Sequence, residues 1–296
     1  FSLAKKMLVT LKEKYILVTL FISGSFELFL SLIQLINKHS VQGVFYYFGE
    51  RLLSLSTPGV TKATIQGVEF LRPYGTFSHP NSMAGFFLLI YFLVLTYKKF
   101  NRYSALKYSL LFISSILVLI SFSKVAIVSF LILNTYYLIL NTKFNCQICK
   151  IARITTLFII SLIFLSAATD PLTINKRIEL MKNSAAIILR YPIQGVGLGS
   201  YLIEQAKFSS RFYLFFNQQV HNIPLLFISE TGLIIGGLIF LFSFKIISQF
   251  IRTNIYVFLT LVLTGLFDHY WLTLQQNFLL MGLVIGVILS RTLPVD

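Results

Sequence analysis

The stretch that decides the fold is residues 108–140, which read YSLLFISSILVLISFSKVAIVSFLILNTYYLIL. It is apolar almost throughout and is interrupted only at Ser121-Phe122-Ser123-Lys124. A single helix over the whole stretch would be about 50 Å long, against a bilayer core of about 30 Å, and would put Lys124 at mid-membrane. Two helices joined by a tight turn leave Lys124 at the membrane interface, where its stem can reach the headgroups. The sequence therefore predicts two membrane helices, split at 121–124.

The composition of the whole chain agrees with a membrane protein. Of its 296 residues, 56% are hydrophobic and 12% are charged, and the mean hydropathy is +0.80, whereas soluble domains carry about 25% charged residues. A soluble globular enzyme and a disordered chain are both excluded. A crossing needs about 20 mainly apolar residues, and somewhat shorter runs can also span. We predict an all-α polytopic membrane protein with about eight transmembrane helices, at roughly Tyr15–Ile36, Ser82–Tyr97, Tyr108–Ser121, Val125–Leu140, Ile154–Ala168, Pro224–Phe244, Ile255–His269 and Leu274–Ser290.

The positive charge predicts the orientation of these helices. The net charge of +15 would suggest nucleic acid in a soluble protein, but in a membrane protein Lys and Arg are retained in cytoplasmic loops. With eight crossings, one set of short loops holds most of the basic residues, namely Lys5, Lys6, Lys12, Lys14, Lys98, Lys99, Arg102, Lys107, Lys143, Lys150, Arg153, Lys245, Arg252 and Arg291. We expect this set to be cytoplasmic, which leaves the long loops at about 37–81 and 169–223 outside and argues against nucleic acid as a partner.

The ends and the cysteines add two expectations. The chain opens with Phe1 rather than Met, so we expect an upstream part to be missing, and without repeats or linkers we treat 1–296 as a single membrane domain. Cys146 and Cys149 form a C-x-x-C in a predicted cytoplasmic loop, where thiols stay reduced. A zinc site there would need two more ligands, so we expect incidental thiols.

The first outside loop ends in RPYGTFSHPN, residues 72–81, directly before a predicted span. Pro73 and Pro80 push their preceding residues out of the helical region, so the stretch should be extended or turned. Arg72 stands out, because a fixed guanidinium group suits two phosphate oxygens. An interfacial arginine paired with lipid headgroups is the simpler alternative.

The second outside loop predicts an amphipathic helix at about Ile174–Arg190. Its apolar stripe and polar face suit a position in the membrane interface rather than a crossing. Arg177 and Lys182 flank the stripe, where they can reach lipid phosphate, although many surface helices carry such bases. The stripe consists of Ile174, Ile178, Met181, Ala185, Ile188 and Leu189.

Glycines and ionisable residues follow that helix. Gly195, Gly197 and Gly199 lack the strand and βαβ unit of a nucleotide-binding fingerprint, so we expect a tight turn packed on the membrane helices. His221 lies where the loop re-enters the membrane, and histidine is well suited to take a proton near neutral pH. Ionisable groups in or near spans mark either function or a paired structural role; here they are Glu27, Glu230, Asp268 and His269.

In their order and spacing, these segments resemble the O-antigen ligase and O-antigen polymerase family of membrane glycosyltransferases. The resemblance covers about 65–290. It rests on residues 72–81, Ser123-Lys124, Arg177, Pro192-Ile193-Gln194-Gly195-Val196-Gly197, His221-Asn222, Glu230-Thr231-Gly232 and Gly265-Leu266-Phe267-Asp268.

The resemblance implies an enzyme of the bacterial inner membrane with an outward-facing site, acting in cell-surface polysaccharide synthesis such as that of lipopolysaccharide. It would move a glycan from an undecaprenyl-pyrophosphate-linked donor to an acceptor hydroxyl on a glycan or lipid, with inversion and without a metal or cofactor. By the resemblance, His221 is the general base, and Arg72, Arg177 and Lys124 hold the donor pyrophosphate. Glu230, Asn222 and Lys182 are supporting candidates. Lys124 stands where many relatives have Arg, and Met181 where the family helix usually has Trp.

Two rival interpretations remain open at this level. A transporter or flippase of lipid-linked glycans would use the basic loops to attract anionic headgroups, and such proteins often show repeats and broken helices. A structural or sensor membrane protein would leave these residues uncorrelated in space. The metal-free expectation rests on the carboxylates of the outside loops, which are dispersed in sequence; they are Glu50, Glu69, Asp170, Glu179 and Glu204.

Overall fold

The computed structural model describes residues 13–140, 146–168, 172–208 and 217–289. The chain divides into two compact units, the first of Phe1–Thr169 with Gly282–Asp296 and the second of Asp170–Met281. The single domain expected over 1–296 remains a prediction. Several predicted features lie outside the described residues, namely Lys5, Lys6, Lys12, Lys143, Asp170, Arg291 and the end of the last span at Ser290.

The first unit is mainly helical. Its core is α3, which is apolar on all sides and packs on α4 and α5, while α1 packs on α4. Its elements are α1 (Glu13–Asn37), α2 (Val44–Tyr47), β1 (Lys62–Ile65), β2 (Val68–Leu71), α3 (Pro80–Thr96), a 3-10 helix (Lys98–Tyr103), α4 (Ser104–Ile120), α5 (Lys124–Leu140) and α6 (Gln147–Leu165).

The second unit contains the segment predicted to hold the site. Its helix α7 packs on α9, and α9 packs on α10. The elements are α7 (Thr173–Arg190), α8 (Tyr201–Gln205), α9 (Ile223–Thr253), α10 (Ile255–Gly265), α11 (Tyr270–Thr273) and the start of α12 (Gln275–Leu289).

Each of the eight predicted spans coincides with a helix. In the described part of the chain, four helical stretches are long and apolar enough to cross a membrane, at Glu13–Asn37, Lys98–Ile120, Gln147–Leu165 and Ile223–Thr253. The helices α3, α5, α10 and α12 are apolar but shorter. Large apolar side chains on α6 and α9 are exposed, such as Ile159, Ile163, Leu241 and Phe242. Apolar surface of this extent requires lipid around it, so the chain is a membrane-embedded helical protein.

The predicted split of residues 108–140 is confirmed. Helix α4 ends at Ile120 and α5 begins at Lys124, so the two are separate helices. Phe122 takes a left-handed conformation with φ of 52°, and the Ser123 amide donates to the Ser121 hydroxyl at 3.1 Å. A left-handed bulky residue is uncommon and breaks the helix. The Lys124 side chain is exposed.

One element of the connection between α1 and α3, the predicted first outside loop, departs from the all-α prediction. Strands β1 and β2 form an antiparallel hairpin with Lys62 opposite Leu71 and Ile65 opposite Val68. The two turn residues, Gln66 and Gly67, both have positive φ, as the tight hairpin turn requires. The signal was present in the sequence as a glycine turn between Ile65 and Val68, but the hairpin is too short to show a clear alternation.

Residues 72–79 are extended and turned, as predicted, whereas Pro80 and Asn81 already form the first turn of α3, and the segment is tied to α1. The Glu27 carboxylate accepts from the Thr76 amide at 3.0 Å and from the Thr76 hydroxyl. Gly75 approaches so closely, at φ of 57°, that a Cβ there would lie 2.1 Å from the Glu27 carboxylate. The Gln34 amide oxygen accepts from Tyr74 and Gly75. Glu27, flagged by the sequence as an ionisable residue in a span, therefore has a structural role here.

Two contacts within the first unit join segments that are predicted to lie on the same side of the membrane. Lys99 and Glu13 form an ion pair at 2.9 Å, which joins the start of α1 to the turn after α3. Thr64 and Ala168 exchange backbone hydrogen bonds of 3.0 and 2.9 Å, so the β1–β2 hairpin contacts the chain just after α6.

The predicted amphipathic helix is α7, but it packs through a different face. Leu180, Ser184 and Ile187 are buried in the second unit, and the Ser184 and Ser229 hydroxyls lie 2.8 Å apart. The predicted apolar stripe is instead exposed, with Ile174 69% and Met181 45% accessible. The helix thus has two apolar faces, one packed on α9 and one exposed.

Helix α9 is broken at Gly232, and the predicted glycine turn fills the break. Gly232 has φ of 73° and ψ of 170° inside the helix. The amides of Val196 and Gly197 donate to the carbonyls of Ser229 and Glu230, each at 2.9 Å, and Leu233 donates to Pro192 at 2.7 Å. The backbone of 192–197 thus supplies the hydrogen bonds that the helix loses at the break.

The cysteine prediction is wrong in one respect. Cys146 and Cys149 are joined in a disulfide, and the Cys146 sulfur also caps α6 by accepting from the Cys149 amide. Two cysteines that begin a helix three residues apart are close enough to bond.

Candidate functional site

The candidate site is a cluster of His221, Asp268 and His269 in the second unit. The His221 Nδ1 lies 3.3 Å from an Asp268 carboxylate oxygen, and His269 Nε2 lies 4.0 Å from the same oxygen. The two imidazole rings are 5.1 Å apart. The side chains are between 10% and 18% exposed, so the cluster is sheltered but still open to solvent.

Local structure places His221 at the start of α9. Asn222 is the N-cap, and its side-chain oxygen accepts from the Leu225 amide at 2.9 Å, which satisfies an amide that the helix leaves unpaired. The side-chain nitrogen of Asn222, Nδ2, also donates to the Leu266 carbonyl at 3.0 Å. Asn222, a supporting candidate in the sequence, therefore joins the His221 segment to the loop that carries Asp268.

Close packing brings the same two segments together. Gly265 ends α10 against Ile223, where an added Cβ would lie 2.9 Å from the Ile223 side chain. The small residue allows the loop 266–269 to approach the start of α9. Asp268 is then fixed by its own neighbour, because it accepts from the His269 amide at 2.9 Å.

His269 is held in one orientation, and burial lowers its pKa. Its Nδ1 lies 2.7 Å from the Thr273 hydroxyl. Burial lowers its pKa to about 4, more than the Asp268 carboxylate raises it, and the nearby His221 and Arg177 lower the pKa further. A neutral imidazole in this position can accept a proton or a ligand through its second nitrogen.

Arg177 lies on the same side of the second unit as this cluster. Its Nη1 donates to the Phe267 carbonyl at 2.8 Å, directly before Asp268. Its Nε is buried and has no hydrogen-bond partner among the residues that the structure describes. A buried guanidinium nitrogen without a partner is costly, so this group suits an anionic ligand.

The other two supporting candidates, Lys182 and Glu230, are not members of this cluster. Lys182 is exposed on α7. Glu230 precedes the break in α9, and its contact with the glycine turn runs through its backbone carbonyl. Neither side chain is shown in contact with the histidine cluster.

Arg72 and Lys124 belong to the first unit. Arg72 is 7% exposed, its Nε donates to the Ser121 carbonyl at 2.8 Å and its Nη2 donates to the Asn81 side chain at 2.7 Å. It therefore ties the segment 72–81 to the turn before Lys124. The resemblance grouped Arg72, Lys124 and Arg177 as contacts for the donor pyrophosphate; Arg72 and Lys124 lie on neighbouring segments of the first unit, whereas Arg177 belongs to the second.

The cluster of His221, Asp268 and His269 is not apparent from the sequence. Asp268 and His269 stand out there as ionisable residues near the end of a span, but α9 and α10 separate them along the chain from His221. The metal-free expectation rests only on the carboxylates of the predicted outside loops. The structure brings together three groups that could hold a metal ion, with one ligand atom of each within 4.8 Å of the others.

Chemically, the cluster can hold and move a proton. A carboxylate beside one imidazole nitrogen orients the ring, which leaves Nε2 of His221 to take a proton from a substrate. The Arg177 guanidinium nearby can stabilise negative charge on a leaving group.

Comparison with known proteins adds no further assignment. No protein-family model and no curated protein matches the chain.

Proposed function

We propose that this protein is a membrane glycosyltransferase of the O-antigen ligase or polymerase type. The observation that carries the proposal is the convergence of His221, Asp268 and Arg177 in one unit: a base, the carboxylate that orients it and a cation with an unpaired nitrogen. The order of sequence segments that resembles this family agrees with that arrangement. The donor is a glycan on undecaprenyl pyrophosphate, and the acceptor is a hydroxyl of a glycan or lipid.

The proposed reaction is a single inverting displacement. The acceptor oxygen attacks the anomeric carbon while its proton passes to Nε2 of His221. The bond from the anomeric carbon to the pyrophosphate breaks, and the lipid pyrophosphate leaves with its charge on phosphate oxygens. Arg177 stabilises that charge, so the reaction needs no metal ion.

The proposal includes the topology. Eight helices cross the bacterial inner membrane, the short basic loops face the cytoplasm and the cluster faces outward, with the exposed stripe of α7 in the membrane interface. Arg72 and Lys124 remain sequence-based candidates for contacts with donor phosphate.

Reconstitution tests the function directly. The full chain in liposomes is given a lipid-linked repeat unit, and products are separated by size. Lengthening without added acceptor indicates a polymerase, and dependence on a lipid acceptor indicates a ligase. His221→Ala should abolish transfer, whereas His39→Ala, a histidine of the first unit, should not. Transfer that survives in His221→Ala contradicts the base assignment.

The break in α9 is the one observation that favours a transporter, since transporters use broken helices to bind substrates. In this protein, however, the carbonyls of Ser229 and Glu230 at the break accept from Val196 and Gly197, so they are not left for a cargo. If the lipid-linked glycan moves across the liposome bilayer and no new glycosidic bond forms, the result favours a transporter over a glycosyltransferase.

A further inference from the structure

We propose that the side chains of His221, Asp268 and His269 form a binding site for a zinc ion, which inhibits the protein. The zinc site goes beyond the transferase proposal, because zinc binding needs no glycan, whereas the inhibition rests on that proposed function. It also differs from the metal-free chemistry proposed above: the active form has no ion, and zinc competes with the base.

The spacing of the donor atoms suits zinc. Bonds of about 2.0–2.1 Å in tetrahedral geometry place ligand atoms a little over 3 Å apart. The Asp268 oxygen lies 3.3 Å from His221 Nδ1 and 4.0 Å from His269 Nε2, and one ligand atom of each residue lies within 4.8 Å of the others. Small side-chain rotations therefore suffice to close the site around an ion.

The ligand types select the ion. Two imidazoles and one carboxylate suit a borderline divalent ion such as Zn²⁺, whereas Mg²⁺ and Ca²⁺ prefer all-oxygen sites. Three protein ligands leave a fourth position open, as in zinc sites that bind water or an anion. The positive Arg177, beside Phe267, makes an anion the favoured fourth ligand.

A second set of contacts orients the ligands. Metal-binding histidines usually donate their other ring nitrogen to a protein oxygen, and that contact fixes the ring. His269 meets this condition, since its Nδ1 lies 2.7 Å from the Thr273 hydroxyl while Nε2 points toward Asp268. The exposure of the three side chains, between 10% and 18%, lets an ion enter from solvent.

Inhibition follows from the atoms that zinc would occupy. Zinc bound through His221 Nδ1 and the Asp268 oxygen replaces the contact that orients the base. Nε2 of His221 then carries the ring proton and cannot accept another. Zinc should therefore reduce transfer without displacing the lipid-linked donor from the membrane.

The test measures zinc binding alone. The full chain, purified in detergent through a tag without histidine and stripped with EDTA, is titrated with Zn²⁺ against a chromophoric chelator. One ion per chain is expected. Loss of a residue that hydrogen-bonds a metal ligand typically weakens metal binding about 10- to 100-fold. Thr273→Val, which removes the contact to His269, should weaken zinc binding within that range. His269→Ala, which removes a ligand, should weaken it more.

Matched controls separate this site from other ligands. His39→Ala and His79→Ala change the two histidines of the first unit, and a Cys146→Ser, Cys149→Ser double variant removes both cysteines; all should bind zinc as the parent chain does. The elution volume in size-exclusion chromatography shows which variants fold. If His269→Ala does not fold, Thr273→Val alone tests the site. Replacement by Co²⁺ should give the intense visible absorption of a four-coordinate ion.

Three outcomes overturn the inference: no zinc bound by the parent chain at micromolar concentrations, unchanged binding in both Thr273→Val and His269→Ala, or loss of binding in a control. None of these readouts depends on glycan transfer. If the chain binds zinc but transfers no glycan, the zinc site stands and the transferase proposal is rejected. If the chain transfers glycan but binds no zinc, the transferase proposal stands and the zinc site is rejected.

Discussion

Arg72 illustrates how a single side chain can carry a structural role beside a proposed chemical one. Two of its guanidinium nitrogens already donate to the Ser121 carbonyl and the Asn81 side chain. Lys124, close by in sequence to Ser121, is exposed. The two candidates for phosphate contact are therefore unequal as experimental probes.

Arg72→Ala should unfold the first unit more readily, because hydrogen bonds to a charged group contribute about 1.5–3 kcal/mol and the buried Ser121 carbonyl and the partly buried Asn81 side chain each lose a donor. Lys124→Ala should leave stability unchanged and test phosphate contact alone. Thermal unfolding in detergent, read beside donor binding, separates the two. Equal melting temperatures for both variants would contradict the structural role of Arg72.

His269 predicts how stability responds to pH. Its pKa is about 4 in the folded protein, because burial disfavours the charged ring, against about 6.5 in an unfolded chain. The unfolded state therefore binds the proton first as pH falls, so this residue costs stability below about pH 6.5, by up to about 1.4 kcal/mol per pH unit. The loss should level off near pH 4.

The measurement is the midpoint of unfolding of the EDTA-treated protein between pH 7.5 and about 4.5. His269→Gln keeps a polar side chain without a titrating ring and should flatten the slope over this range. His39→Gln should keep the slope of the parent chain. A parent chain whose midpoint rises on acidification would refute the burial of a neutral His269.

The site shows what sequence can and cannot give at the residue scale. His221 and Arg177 could be selected because histidine and arginine have distinct chemistry at a membrane junction, whereas Asn222 was a candidate only through the family resemblance. The pairing of His221 with Asp268 could not, because it depends on how α9 and α10 return the chain to the same place. No local pattern encodes such a long-range contact.

At the scale of elements, Gly232 tests whether the break in α9 is required. A Cβ at Gly232 would lie 2.2 Å from the Ile193 carbonyl, and its φ is 73°. Gly232→Ala should therefore destabilise the second unit by several kcal/mol, since left-handed backbone alone costs about 1–3 kcal/mol for a side chain and the clash adds to it.

Gly237→Ala is the matched control, in the same helix. An added Cβ there meets nothing within 4 Å, so the helix should gain up to about 1 kcal/mol from the better helix former. Opposite shifts of the unfolding midpoint are expected. A Gly232→Ala protein as stable as the parent chain would mean that the loop 192–197 is not locked into the break.

The elements differ in how well hydrophobicity predicts them. The positions of the helices followed from apolar runs, and the split before Lys124 followed from bilayer thickness. The buried face of α7 did not follow, because Leu180, Ser184 and Ile187 form a weaker stripe than the apolar face that is exposed. Which of two apolar faces packs on a neighbour is decided by that neighbour, not by the helix.

At the scale of the whole molecule, the orientation in the membrane is the prediction with the widest consequences. Basic residues should face the cytoplasm, which places residue 198 outside and residue 102 inside. In a Cys146→Ser, Cys149→Ser background, Leu198→Cys should react with an impermeant maleimide in intact spheroplasts. Arg102→Cys should react only after permeabilisation.

Both positions are exposed, so a difference in labelling reports sidedness rather than burial. Detergent-solubilised protein, in which both cysteines should react, provides the control. Labelling of residue 102 but not residue 198 in intact spheroplasts would invert the topology, and with it the outward-facing site.

The filled break in α9 also bears on how the protein is made. A transmembrane helix normally enters the bilayer with its backbone hydrogen bonds complete. Here Ser229 and Glu230 obtain donors from Val196 and Gly197, in a segment that leaves the ribosome earlier. We therefore expect final insertion of α9 to follow folding of the preceding loop, so that insertion of this helix and the placement of His221 beside Asp268 occur as one cooperative event.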